Sequence, residues 1–321
     1  MTQLLRGLGL LCALLGATAA CAQTYPTRPI KIIVPYGAGG PADIYARFLG
    51  TKLGEAMGQS FVIEDRPGGG AVIGSDAVAK SPADGYTLLM MSNTHTVNET
   101  LFSKKPYELM RDLAPITGIN YSDLVMVVHP SVPASNLRQF IALARAKPKE
   151  LYYASSGPGT PYHMAGELFK TMAGVDLVHV PYKGSDGART GILGGQVQMM
   201  LDAITTMAPN VRAGKVRALG TTGTKRSTVL PEVPTIAEAG VPGYECGIWL
   251  GLMAPAGTPH AILARLNLEV NKVIDSAEVR ELWAKQGALP MGMSIEQFDR
   301  FLRAEIVKWA QVVKLSGAKI D

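Results

Sequence analysis

Two glycine-rich stretches carry the residue types best suited to holding an anion. Gly37-Ala38-Gly39-Gly40-Pro41-Ala42 follows the β-branched run Ile30 to Val34 and precedes a helical pattern. Main-chain amides in such a loop, exposed beside a helix N-terminus, accept negative charge of any kind. The stretch also fits the dinucleotide pattern G-x-G-x-x-G/A, with Glu64 about where a ribose-binding acid is expected. Pro35 and Tyr36 wedge that turn open and oppose a nicotinamide site. A second loop, Ser155-Ser156-Gly157-Pro158-Gly159-Thr160, again follows a strand-like run and precedes a helix. Either loop alone serves equally well as a chain reversal. Together, each at the carboxyl end of a strand, they favour a ligand, and a carboxylate gripped from both sides suits them.

The remaining polar candidates each have two readings. His163, three residues after Thr160, either touches a ligand from the first turn of its helix or supports the turn. Ser155, His163 and Asp186 form a triad on paper, but no G-x-S-x-G elbow accompanies them. Asn93 and Thr94, after the strand-like run Thr87 to Met91, line a cleft or belong to a solvated loop. Asp202 faces a polar ligand group or caps a helix. Tyr36, Tyr162 and Tyr182 stack on a ligand ring or fill core and rim. His95, His129, His179 and His260 lack metal-ligand spacing, so neither a metal nor a cofactor is expected.

The elements that position these residues alternate. Strands are expected at Ile30 to Val34, Phe61 to Ile63, Thr87 to Met91, Leu124 to Val128, Tyr152 to Ala154, Val178 to Val180 and Met199 to Leu201. Helices are expected from Ile44 to Met57, at Ala71 to Ala79, Leu137 to Ala146, Tyr162 to Ala173 and Ala188 to Leu193. That order means βαβ units, an α/β class and a mostly parallel sheet. From Thr258 the pattern is nearly all helix, with Phe298, Leu302, Ile306, Trp309 and Val313 on one face. Strand-like crossings near Tyr121 to Val128 and Tyr244 to Met253 carry the chain out to a second domain and back. The reading is a discontinuous first domain enclosing a second.

With 321 residues, two domains of ordinary size are expected. A net charge of +5, spread along the chain without a basic block, argues against a nucleic-acid binder. Arg6, the apolar run Leu8 to Leu15 and Ala20-Cys21-Ala22 read as an export signal cleaved near Ala22. Lipid attachment at Cys21 is the alternative, although Thr18-Ala19-Ala20-Cys21 lacks the Leu-like residue usual three positions earlier. Free nicotinamide cofactors are scarce outside the cytoplasm, which weighs further against the dinucleotide reading. Removing the signal leaves Cys246 as the single cysteine, so no intramolecular disulfide forms.

The chain closely resembles the extracytoplasmic solute-binding receptors of tripartite tricarboxylate transporters, the Bug receptors. The resemblance is carried by Tyr25-Pro26-Thr27-Arg28-Pro29-Ile30, Val34-Pro35-Tyr36-Gly37-Ala38-Gly39-Gly40-Pro41-Ala42-Asp43 and Arg66-Pro67-Gly68-Gly69-Gly70. It continues through Ala154-Ser155-Ser156-Gly157, Gly159-Thr160, His179-Val180-Pro181-Tyr182-Lys183-Gly184, Gly194-Gly195-Gln196-Val197 and Ala254-Pro255-Ala256-Gly257-Thr258-Pro259.

It implies a periplasmic, two-domain binding-protein fold of the type II clamshell kind, with the ligand cleft between the lobes. The expected division is residues 23–123 plus 246–321 for lobe 1 and 124–245 for lobe 2, after a signal over 1–22. It also implies a monomer that binds a small organic carboxylate, without turnover, and delivers it to membrane permease subunits. The implied contacts are Tyr36, Ala38, Gly39 and Asp43 on one lobe and Ser155, Ser156, Gly159 and Thr160 on the other. Asn93, Thr94, His163, Tyr182 and Asp202 join them as cleft candidates. A secreted α/β enzyme acting on a carboxylated substrate and a ligand sensor are the alternatives. Pro158, and Asp186-Gly187 where Pro-Ala is usual, leave the identity of the carboxylate open.

Overall fold

The computed structural model of the protein describes residues 25–316; the expected export signal, Cys21 included, lies outside the described residues. Strand β1 (Ile30–Val34) is built from β-branched residues that, Lys31 apart, are buried on both faces, as a strand between two others requires. Helix α1 (Pro41–Met57) follows and stops at Gly58, whose φ of 69° ends it in the left-handed region. Then come β2 (Phe61–Asp65), α2 (Val72–Ala79), β3 (Thr87–Ser92), α3 (Asn93–Leu101), α4 (Leu109–Asp112) and the 16-residue strand β4 (Leu113–Val128). The second half contains α5 (Leu137–Ala146), β5 (Tyr152–Ser155), α6 (Pro161–Ala173), β6 (Val178–Pro181), α7 (Ser185–Leu193), β7 (Met199–Ala203), α8 (Ile204–Arg212), β8 (Arg217–Thr221) and α9 (Ile236–Ala239). The chain returns through β9 (Gly247–Pro255) and finishes with α10 (His260–Ile274), α11 (Ala277–Gln286), β10 (Ala288–Pro290) and α12 (Ile295–Ser316).

The strands join in the order β2-β1-β3-β9-β4-β7-β5-β6, with β8 and β10 also paired to β4. β1 is parallel to β2 and β3, and β5 is parallel to β6 and β7. β4 and β9 run antiparallel to their neighbours, so the sheet is mixed rather than mostly parallel. Both strands carry the chain between halves: β9 runs against the βαβ strands of the first half, and β4 against those of the second. β4 changes partners along its length: Leu113 to Asp123 face β9, and Leu124 to Val128 face β7.

The cores do not follow the chain division alone. Ile32, Leu49, Leu252, Leu266 and Trp283 form one apolar cluster in the first half, and Phe140, Tyr153, Phe169 and Met199 anchor another in the second. Val97 and Leu101 of α3 pack into the second-half cluster. Helix α12 spans both regions: Phe298 and Leu302 join Trp249 and Met253, whereas Trp309 and Val313 join Phe169 and Tyr244. Gly251 in β9 is required by that packing, because a Cβ there would collide with the Phe298 ring.

Between the two ends of α12, the buried carboxylate of Glu305 accepts from the indole Nε1 of Trp249 at 2.8 Å and of Trp309 at 2.9 Å. Removing an acceptor leaves buried donors unsatisfied, at about 1–3 kcal/mol each. Glu305→Ala is therefore expected to lower stability by about 3 kcal/mol in urea unfolding followed by tryptophan fluorescence, and Glu305→Gln, which keeps one acceptor oxygen, by clearly less. Equal losses in the two variants would assign the effect to packing instead.

Candidate ligand-binding site

A cavity of about 440 Å³ lies where the loops after the parallel strands of the two halves meet. This is within the range of small-molecule sites. From the first half it is lined by the turn after β1, by Pro67 to Ala71 after β2 and by Ser92 at the end of β3. From the second half come Ser156, Gly157 and Pro158, the start of α6, and Tyr182 to Ser185 after β6. Ile248 and Leu250 of β9 add an apolar wall.

Four helices begin at this cavity. The N-cap residues of α1, α2, α6 and α7 are Gly40, Ala71, Thr160 and Gly184; all four line it, and none supplies a side-chain cap. Pro occupies the first turn of both α1 and α6. The first amides of a helix have no intrahelical acceptor and carry the positive end of its dipole. Lys183 is the single formally charged side chain of the lining, and it is exposed. Uncapped amides, hydroxyls and one exposed cation together with apolar walls make a site for an anion with a carbon body.

Close approach of the loops explains their glycines. A Cβ at Gly70, where φ is 61°, would lie 3.3 Å from the Pro158 carbonyl across the cavity. At Gly40 it would sit 3.5 Å from the Ser185 hydroxyl.

Of the residues singled out in the sequence, Tyr36, Ser156, Thr160, Tyr162 and Tyr182 line the cavity. Tyr36 is bonded through its hydroxyl to Ser92 Oγ at 2.6 Å, and burial raises its pKa to about 12, which keeps it protonated. The Thr160 hydroxyl donates to the Gly157 carbonyl at 2.7 Å. Ser156 makes no hydrogen bond to another described residue, leaving its hydroxyl free for a ligand.

The others stand behind the lining. Ala38 and Gly39 are exposed beside it, and the Gly39 amide donates to Asp43 Oδ2 at 2.8 Å. Asp43 folds back onto its own loop and pairs with Arg47, because a carboxylate at the third position of a helix satisfies nearby amides. Ser155 is buried with its hydroxyl 2.6 Å from His179 Nε2. His163 accepts the Gly159 amide at Nδ1, 3.1 Å away, and stacks on His179 at 4.0 Å. Asp186 binds Arg189 instead, so the paper triad of Ser155, His163 and Asp186 does not form. Asp202 is fully buried and paired with Arg189 at 2.9 Å. Asn93 and Thr94 belong neither to the lining nor to a solvated loop: they are the buried first turn of α3, with Ser92 as N-cap and His95 reaching back to it. Glu64 pairs with Lys31 and Arg66.

The sequence reading missed Gly68 to Ala71, Lys183 to Ser185 and the apolar pair Ile248 and Leu250 as lining. A signal existed for the first. The run Gly68-Gly69-Gly70 has φ of 131°, 57° and 61°, a conformation that requires glycine.

The chain matches the family described as the tripartite tricarboxylate transporter family receptor over residues 45–318. It is 39% identical to protein BugT of Bordetella pertussis, over 100% of this chain and 99% of that one. The chain belongs to this receptor family. Among solved structures, R. palustris Rpa4515 with adipate is 38% identical with a TM-score of 0.88, covering 91% of this chain and 98% of the other. MatC from Rhodopseudomonas palustris with bound malate is 31% identical with a TM-score of 0.85, over 90% and 100%. The periplasmic binding protein BugD is 30% identical with a TM-score of 0.87, over 92% and 99%. The receptor thus has the two-lobe α/β fold of periplasmic binding proteins, and its family consists of solute receptors rather than enzymes. Among the described residues no helix is long and apolar enough to cross a membrane.

Burial holds three of the receptor's imidazoles neutral, pushing the buried His95 and His163 down to about 4 and the half-buried His179 to about 3. An ordinary imidazole titrates at about 6.5. The unfolded chain therefore takes up protons first as pH falls, so the contribution to stability is complete above about pH 6.5 and declines toward pH 4. Urea midpoints are expected to fall steadily across that window, and His163→Gln, which retains an acceptor for Gly159, is expected to show a shallower fall.

Proposed function

We propose that the protein is a periplasmic receptor that captures a small organic carboxylate between its lobes and hands it to the permease subunits of a tripartite tricarboxylate-type transporter. The observation that carries this reading is the convergence of four uncapped helix N-termini on one cavity. A buried anion must recover the hydrogen bonds it gave up in water. Amides and the free Ser156 hydroxyl provide them without a buried countercharge, which keeps capture reversible. The adipate held by Rpa4515 and the malate held by MatC support a carboxylate as the solute. Residues 23–123 plus 246–321 and residues 124–245 are taken as the two lobes. The partner switch of β4 at Asp123 and Leu124 supports that division. Export rests on the N-terminal signal pattern, with cleavage near Ala22. Capture is proposed to proceed in a monomer, without metal, cofactor or turnover.

A thermal-shift screen over carboxylates tests the reading: a ligand at about 100 times its Kd adds about 2.7 kcal/mol of stability. Ser156→Ala is expected to weaken binding about tenfold, from loss of one donor to a charged acceptor. Lys183→Glu separates fold from function. The side chain is exposed, so the free protein keeps its melting temperature, while a negative charge in the lining repels the carboxylate and lowers affinity at least tenfold. Unchanged affinity in Lys183→Glu would show that the anion is held elsewhere.

A further inference from the structure

A second cavity lies away from the solute site. It is a groove of about 450 Å³ on the second half, between α5, the C-terminal turn of α6 and the turn that follows α9. Ile141, Met172, Val241 and Pro242 give it an apolar lining, and Met172 is 39% exposed. Two hydrogen bonds hold its sides together. The Tyr244 hydroxyl, just beyond the turn, donates to the Ala165 carbonyl of α6 at 2.8 Å, and Arg145 Nη2 donates to the Ala173 carbonyl at 2.6 Å.

The charge of the groove is unbalanced. Arg138 and Arg145 both line it and are exposed, and neither has a carboxylate partner among the described residues. On the neighbouring stretches of chain the charges are matched: Lys147 with Glu150, Lys149 with Asp176, Lys170 with Glu167 and Arg226 with Glu238. No acid lines the groove itself. Two cations beside an apolar surface, one of them anchored and both without a counter-ion, complement an acidic group with an apolar neighbour. The flexible Met172 side chain suits a surface that packs against another protein.

Helix α6 connects this groove to the solute. Thr160 and Pro161 at its start line the solute cavity, and Met172 and Ala173 at its end line the groove. Its 13 residues separate the two by about 20 Å, so a partner in the groove leaves the solute site open. We propose that the groove is the receptor's docking site for a permease subunit, and that it takes an acidic segment carrying an apolar side chain. This rests on the transporter-receptor reading and gives the partner a place on the surface and a chemistry.

The test is binding of the receptor to the membrane subunits of its permease in lipid nanodiscs, by biolayer interferometry, both solute-free and with the carboxylate that raises its melting temperature most. Wild type is expected to bind, and less tightly as salt rises. Arg138→Glu is expected to bind about tenfold more weakly or worse with a shallower salt dependence, while Arg138→Lys, which keeps the charge, stays within about threefold. Met172→Ser, an uncharged change from the α6 side, is expected to weaken binding as well. Arg138 makes no hydrogen bond or ion pair with another described residue, and an acid suits the second position of α5, so Arg138→Glu keeps its melting temperature and carboxylate affinity. Equal binding by wild type and Arg138→Glu, as for a groove that holds only a free small anion, would overturn the docking site and leave the receptor reading standing. So would a wild type that dimerises in sedimentation while Arg138→Glu stays a monomer, since the groove would then join two copies of this chain. Failure of wild type to bind the permease in either state would overturn the transporter reading together with this one, whatever carboxylate the receptor captures.

Discussion

The first amides of a helix cannot be satisfied from within it, and this structure directs four sets of them at one space. Elsewhere in the chain the same groups are satisfied locally. Ser92 caps α3, and Thr235 and Glu238 form a reciprocal box at α9. At Gly40, Ala71, Thr160 and Gly184 the side chain that would do so is absent or turned away. Pro41 and Pro161 reinforce the pattern, since proline fixes the entry angle at a position where the missing N–H has no intrahelical acceptor to lose. The orphan donors are thus left for water or for an anion that replaces it.

Holding those termini in register takes a layer of buried polar contacts behind the lining. Asp43 ties down the Gly39 amide, the Ser155 hydroxyl meets His179, and His163 receives the Gly159 amide. Neutral imidazoles suit that role, because each accepts or donates one directed bond without bringing a charge into the core. His95 does the same on the other side, taking the Ser92 amide at Nδ1 while Nε2 lies 2.9 Å from Ser75. These side chains act on a solute through the loops they hold. Their burial is also what makes the fold sensitive to acid.

The halves are joined by more than two crossing strands. Helix α12 buries aromatic residues in both apolar regions, and Glu305 binds indoles from β9 and from α12 itself. Any relative movement of the lobes must either leave that helix in place or bend about it. β4 is the other shared member, one strand bonded to different partners on either side of Asp123 and Leu124.

Local chemistry alone determined much of this protein. Ile30 to Val34 had to be a buried strand, Leu137 to Ala146 an amphipathic helix, and the two glycine loops had to precede helices, because β-branching, apolar period and backbone freedom act over a few residues. The family motifs added the two-lobe fold and the opposed loops. Tertiary structure decided which atoms of those loops face the ligand. Ser155 and Asp43 have the right chemistry and the right place in the chain, yet nearby partners absorb them, whereas Ser156, next to Ser155, keeps its hydroxyl free in the lining. The direction of β4 and β9 and the apolar wall of Ile248 and Leu250 were hidden for the same reason. Which buried groups meet depends on contacts between residues distant in the chain, and no local pattern of residue types encodes those.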